Sequence, residues 1–281
     1  IITAACEKDY PVDLSHFSIM GTAKGAFGAP ADSDKATFEK VTVETKIGRN
    51  KDIKLKVPFI ISGMGSTNVA KQNWAGLGGG AAIAGSILTI GENVCGMDDE
   101  TEIKNGRVVR SPDMEFRVKS FRDWQDKGYG DVVVQANVED TRLGVQEYAV
   151  NKLGIETVEL KWGQGAKDIG GEVKLKSVKK AQALKKKGYI VLPDPDDPNV
   201  IAAFEKGSFK EFERHSRMGM VEEESFMARV EELRKVGAKR IFLKTGAYRP
   251  ADLARAVKYA SKAKLDLLTV DGAGGGTGMS P

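Results

Sequence analysis

Lysines and glycines that follow short apolar runs carry the chemistry open to this 281-residue chain. The run Glu156-Thr-Val-Glu-Leu-Lys161 ends on a cation and leads into Gln164-Gly-Ala-Lys167, and Arg240-Ile-Phe-Leu-Lys244 ends on another cation. Ser62-Gly-Met-Gly-Ser66 and Gln135 close two further apolar runs. Leu265-Asp-Leu-Leu-Thr-Val270 passes straight into Asp271-Gly-Ala-Gly-Gly-Gly-Thr-Gly-Met-Ser-Pro281. The five glycines between 272 and 278 let the backbone reach φ > 0 and bring its N–H groups up to an anion, so the loop reads as a phosphate cradle.

Such residues need strands to hold them. Apolar runs near 58, 82, 133, 159, 190, 242 and 268 read as seven strands. Helical spacing fills 68–77, 143–153, 173–187, 225–236 and 250–263, the last with a proline near its start, and Gly78-Gly79-Gly80 reads as a helix stop. The polar stretch 87–128 reads as an insertion or loop able to cover a site. Strand–helix alternation means parallel strands joined by right-handed crossovers, in either an open doubly wound sheet or a closed barrel. Polar or glycine residues follow strand after strand, and a barrel gathers all those ends at one mouth. The expected fold class is therefore α/β, a (β/α)8 TIM-type barrel over 51–281 with an N-terminal arm over 1–50. Seven strands leave such a barrel incomplete at its C-terminus, so the eighth is expected from a following or partner segment. The start at Ile1 rather than Met fits a piece of a longer polypeptide.

Composition narrows the partners. The 43 basic and 39 acidic residues leave a net charge of +4, without the concentrated basic patch of a phosphate-backbone binder, so nucleic acid is not expected. The lysines between 174 and 187 interleave with Val, Leu and Ala at helical spacing and read as a solvated helix face. No apolar stretch nears the ~20 residues that span a bilayer, and a cytoplasmic protein away from membranes is expected. Cys6 and Cys95 stand far apart, and His16 and His215 are the two histidines, so neither a disulfide scaffold nor a metal site is expected from this chain.

Taken in order, Ser62-Gly-Met-Gly-Ser66, Gln135-Ala-Asn-Val-Glu-Asp-Thr-Arg-Leu-Gly-Val145, Glu159-Leu-Lys-Trp-Gly-Gln-Gly-Ala-Lys167 with Gly170-Gly171, and Gly275-Gly-Thr-Gly-Met-Ser-Pro281 resemble the FMN-binding synthase domain of the glutamate synthase family, over roughly residues 10–281. The resemblance implies FMN as cofactor and an oxidoreductase that reduces the 2-imino acid formed from 2-oxoglutarate and ammonia to L-glutamate. It implies that Ser62, Gly63 and Met64 line the flavin flank, that Gln135 bonds the ring edge, and that Lys161 faces the N1/O2 edge, where charge gathers on reduction. Gly275, Gly276 and Thr277, with Asp271 and Gly272 beside them, would take the phosphate. Lys161, Gln164 and Lys167 are the catalytic candidates, Arg142 and Lys167 the cations for a dicarboxylate substrate, and Lys244 serves cofactor or substrate. Each has a plainer reading: a strand-end salt bridge for Lys161, a turn for Ser62 to Met64, a satisfied core amide for Gln135, and a structural charge for Arg142 or Lys167.

The chain also departs from the family. Ile90-Gly-Glu-Asn-Val94 stands where Gly-Glu-Gly-Gly is usual, the cysteines of an iron–sulfur cluster would have to lie outside this chain, and no glutaminase nucleophile opens it. The expected partners are the small substrates, with ammonia free or glutamine-derived, an electron-donor protein or subunit, and the segment that completes the barrel. The alternatives are a related FMN barrel acting on another amine or keto acid, in the manner of an N-methylglutamate synthase, and a non-catalytic barrel scaffold.

Overall fold

The computed structural model describes residue 16 and residues 43–126, 128–162, 172–217, 219, 221–246 and 248–271. Its elements begin with β1 (Thr45–Ile47), β2 (Ile53–Leu55), β3 (Ile60–Met64), α1 (Asn68–Ile83), β4 (Ile87–Ile90), α2 (Val94–Met97), β5 (Glu102–Lys104), β6 (Arg107–Arg110) and α3 (Pro112–Arg122). There follow β7 (Asp131–Ala136), α4 (Val138–Leu143), α5 (Val145–Leu153), β8 (Thr157–Lys161), β9 (Glu172–Leu175), α6 (Val178–Lys186), β10 (Ile190–Leu192) and α7 (Pro198–Glu205). The last are β11 (Phe212–His215), α8 (Glu223–Val236), β12 (Arg240–Thr245), α9 (Pro250–Lys262) and β13 (Leu267–Val270).

Six strands form one parallel sheet in the order β13-β12-β8-β7-β4-β3. Because side chains alternate across a strand, each strand feeds two cores. Leu88, Val132, Val134, Val158, Leu160, Ile241 and Leu243 enter the main core, which takes in residues from all the helices except α7 and is flanked by Val200 and Phe204 of α7. Ile87, Val133 and Phe242 point the other way and pack with Ile53 and Leu55 of β2, flanked by Ile47 and Leu267. The β1–β2 hairpin, antiparallel from Thr45↔Leu55 to Ile47↔Ile53, thus plugs the face away from the helices and spans the expected boundary between residues 50 and 51. An apolar inner face plugged from one end is consistent with part of a barrel, and among the described residues the sheet is open at the outer edges of β3 and β13.

Helix ends follow local chemistry. Thr67 caps α1 by accepting from the Ala70 N–H at 3.2 Å, Pro250 opens α9, and Gly237 closes α8 in the left-handed region at φ 109°.

Several expectations are corrected. The second strand lies at Ile87–Ile90 rather than near 82, inside the stretch read as a loop, while Ala81 to Ile83 end α1. Gly78-Gly79-Gly80 does not stop the helix. A Cβ on Gly78 would come within 2.9 Å of the Ser120 backbone and one on Gly79 within 3.2 Å of Trp124, so these glycines let α1 and α3 approach closely. The strand at Ile190–Leu192 is real but joins a separate antiparallel sheet of order β10-β11-β9. The far edge of that sheet, β9, occupies the start of the stretch read as one helix from 173. The parallel sheet therefore has six strands among the described residues, not seven.

Candidate functional site

Register brings the chemistry-bearing residues to one end of the inner face. Two residues beyond Ile87, Val133 and Phe242 on their strands come Thr89, Gln135 and Lys244, on the same side and nearer the C-terminal end. Gln135 is level with Glu159, and Lys244 with both Lys161 and Thr269. Partners level across parallel strands project from the same face, so Gln135, Glu159, Lys161, Lys244 and Thr269 form a polar tier toward the C-terminal end of the inner face, beginning level with Phe242. In parallel α/β architectures the C-terminal end of the sheet is where sites are built.

The tier is knit by charge. Lys161 Nζ lies 3.0 Å from Glu92 Oε1, in the loop after β4, and Lys244 Nζ lies 3.3 Å from Asp271 Oδ2. Gln135 Nε2 donates to Glu159 Oε1. Burial pushes the Glu92 carboxyl up, but the Lys161 ammonium, a backbone N–H and Lys244 together outweigh it and hold Glu92 below its ordinary range. Among the described residues Glu159 has no such close cation. Burial pushes it up, only partly offset by the Gln135 amide and by Lys244. The end of the sheet thus holds carboxyl groups of opposite proton affinity beside two lysines.

The end of β3 and the turn after it, Ser62–Ser66, reach this tier because two glycines permit it. A Cβ on Gly63 would come within 3.1 Å of the Gln135 amide, and one on Gly65 within 2.2 Å of the Glu92 carbonyl oxygen. From the helix side this segment is held by Arg117, fully buried, which donates to Gly65 O at 2.9 Å and Met64 O at 3.3 Å. Its guanidinium is fixed by Asp113 at 3.0 Å and lies over the Trp74 ring at 4.4 Å from the centroid.

Of the residues expected at the site, Gly63, Gln135, Lys161, Lys244 and Asp271 come together, with Ser62 and Met64 beside Gly63 at the end of β3 rather than after it. Lys161 also satisfies its plainer reading, since its partner is the strand-end carboxylate of Glu92. Arg142, at the end of α4, is already engaged: it donates to Glu139 Oε2 and to the Gly188 carbonyl, both at 3.1 Å. Gln164, Lys167, Gly272, Gly275, Gly276 and Thr277 lie outside the described residues. Glu159 was missed, though its place two residues before Lys161 on one strand is a signal that could have marked it. Glu92 stood in a motif that departs from the family pattern, which left its role open, and Arg117 carried no such signal, since it reaches its place across a long sequence separation.

A cleft of about 320 Å³ lies at the opposite end of the sheet, lined by Asp52, Lys54, Arg122, Asp131, Glu156 and Arg240 among others. Its charges are largely spent on one another: Arg240 meets Asp52 at 2.7 Å, Glu156 at 3.0 Å and Asp131 at 3.1 Å. It lies at the N-terminal end of the strands, the stabilising face of such folds. Among the described residues no helix is long and apolar enough to cross a membrane.

No curated protein matches this chain. A family model described as a conserved region in glutamate synthase matches residues 9–186 and 214–281.

Proposed function

This chain belongs to the family defined by that conserved region of glutamate synthase, and from that premise we propose that it is an FMN-dependent oxidoreductase reducing a 2-imino acid, formed from 2-oxoglutarate and ammonia, to L-glutamate. The observation that carries the reading is the polar tier, in which two strand-end lysines, a buried amide and a close-approach glycine meet at the C-terminal end of one parallel sheet. That donor set suits the edge of a ring that gains negative charge on two-electron reduction. The flavin supplies hydride chemistry when bound.

In this reading Lys161 faces the pyrimidine edge, held in place by Glu92. Gln135, steadied by Glu159, bonds the ring edge, and Ser62, Gly63 and Met64 at the end of β3 form the flank, with Arg117 fixing the Met64 and Gly65 carbonyls behind. Lys244 and Asp271 stand where the phosphate loop leaves β13, and Gly272, Gly275, Gly276 and Thr277 take the phosphate. Gln164 and Lys167 serve the reacting end. Lys167 and Arg142 take the substrate carboxylates, Arg142 by exchanging one of its present partners. The open edges at β3 and β13 are closed by further strands, completing a (β/α)8 barrel, since an unpaired parallel edge exposes a row of N–H and C=O groups. Electrons come from a donor protein or subunit.

Titration of the chain with FMN, followed by flavin fluorescence, tests the reading directly. Stoichiometric binding is expected, weakened about tenfold in Lys161→Met by loss of a charge-assisted bond of about 1.5 kcal/mol. The photoreduced protein is then mixed with 2-oxoglutarate plus ammonia, or plus methylamine. Reoxidation by the ammonia mixture is expected; preferential reoxidation by methylamine would reassign the amine, and a folded protein that takes up no FMN would sink the proposal.

A further inference from the structure

Behind the Glu92 and Lys161 pair lies a second polar cluster, drawn from four parts of the chain. Asn93, next to Glu92, has a left-handed backbone at φ 65°. Its N–H donates to Asp140 Oδ2 at 2.9 Å, while its side-chain oxygen accepts from Asn137 Nδ2 at 3.2 Å and Arg214 Nη1 at 3.3 Å. Asp140 sits there because Asn137 and Asp140 form the reciprocal capping box of α4. Arg214 also donates to Ser216 Oγ at 3.0 Å and lies over the Tyr189 ring, 4.9 Å from its centroid. The Tyr189 hydroxyl is pressed against α2 so closely that Gly96 has no room for a Cβ.

Three polar atoms of this cluster have no hydrogen-bond partner among the described residues: Asp140 Oδ1, the Tyr189 hydroxyl and Arg214 Nε. Their residues are 1%, 4% and 1% exposed. An orphaned buried polar atom costs about 1–3 kcal/mol, so three in residues joined through Asn93 or by stacking are not left open without a guest. The set comprises a carboxyl oxygen, a donor, and a hydroxyl that can act either way. A buried water needs about two to four such partners and no net charge.

We propose that these three atoms hold a buried water, and that Asp140 with this water stores a proton whose occupancy follows the charge of the Glu92 and Lys161 pair. The groups facing Asp140 are Glu92 from the loop after β4, Lys161 from β8, Tyr189 before β10, Arg214 from β11 and Cys95 from α2. Burial pushes the Asp140 carboxyl up to about 7; the Asn93 N–H opposes this, Glu92 reinforces it and Lys161 opposes it again. Each change of charge at the sheet's end is thereby felt by a proton held behind it. The inference concerns this chain's own residues and stands whether or not a flavin occupies the tier.

Infrared difference spectra of the flavin-free chain across a pH titration test it. One carboxylic-acid band that disappears around neutral pH is expected, absent from Asp140→Asn. Tyr189→Phe keeps the stacked ring and removes the hydroxyl, and is expected to move the band's frequency. Glu92→Gln should lower the midpoint and Lys161→Gln should raise it, each by about one pH unit. A merely structural Asp140 would not give opposite shifts for these two substitutions. No band titrating near neutral pH, an unmoved frequency in Tyr189→Phe, or midpoints that shift in one direction or not at all would overturn the proposal. Should Asp140→Asn fail to fold, the other three variants still decide it.

Discussion

At the N-terminal ends of β8 and β12 one arginine serves three carboxylates, whereas toward their C-terminal ends two lysines serve one carboxylate each and a third carboxyl, Glu159, has among the described residues only an amide. The apolar tier of Ile87, Val133 and Phe242 lies between them. The lower network is closed: Arg240 Nε also donates to Thr157 Oγ1 at 2.8 Å, and Thr157 donates in turn to Asp131. The upper tier is held by long side chains in single contacts and keeps proton affinities apart, with Glu92 lowered and Glu159 raised. The same strands thus carry charge used for cohesion at one end and charge free to meet a guest at the other.

The largest effect is expected from breaking the closed end. Arg240→Ala leaves Asp131 buried without its cation and should cost about 3–5 kcal/mol in urea unfolding. A loss below about 1 kcal/mol would mean that the hairpin plug, not the ion pairs, closes that face. Gly65→Ala tests the open end by sterics, since its Cβ would lie 2.2 Å from the Glu92 carbonyl oxygen. About 1–3 kcal/mol should be lost as the two loops part, and unchanged stability would show that the loops yield freely.

Proton linkage gives a smaller contrast. Between its ordinary value of 3.8 and about 7, the folded state keeps on Asp140 a proton that the unfolded chain has released, so this group makes stability fall as pH rises through that window. Asp140→Asn should therefore lose less stability between pH values near the two ends of the window than the parent chain does. Glu92 acts with the opposite sign, its stabilisation being lost as pH falls through its lowered folded value. Denaturation midpoints that depend on pH identically with and without the Asp140 carboxyl would refute the assignment. The smallest effect belongs to Lys119→Ala, whose partner Asp123 is, like Lys119, well exposed. Less than about 0.5 kcal/mol is expected, and this sets the scale against which the other changes are read.

Legibility in the sequence followed the range of the forces. Five of the six parallel strands stood out as apolar runs closed by polar residues, and the tier's Gln135, Lys161 and Lys244 could be named because strand ends are local features. The strand at Ile87–Ile90 was hidden, because its apolar run follows at once on the small and apolar end of α1 and is itself followed by polar sequence. The glycine triplet misled for a related reason: its role is set by α3, some forty residues on, and no local rule separates a helix stop from a helix contact. Arg117, Arg214 and Tyr189 reach their places across equally long separations.

By itself the sequence determined the family, the parallel strand–helix rhythm and the residue types at the strand ends, because hydrophobic period, capping and glycine placement act within a few residues. Only the tertiary structure decided that Glu92 answers Lys161, that Arg117 holds the Ser62–Ser66 segment, that Ile190–Leu192 leaves the main sheet, and that Asp140 is buried behind the tier. These depend on register and on desolvation, which exist only once distant segments have met.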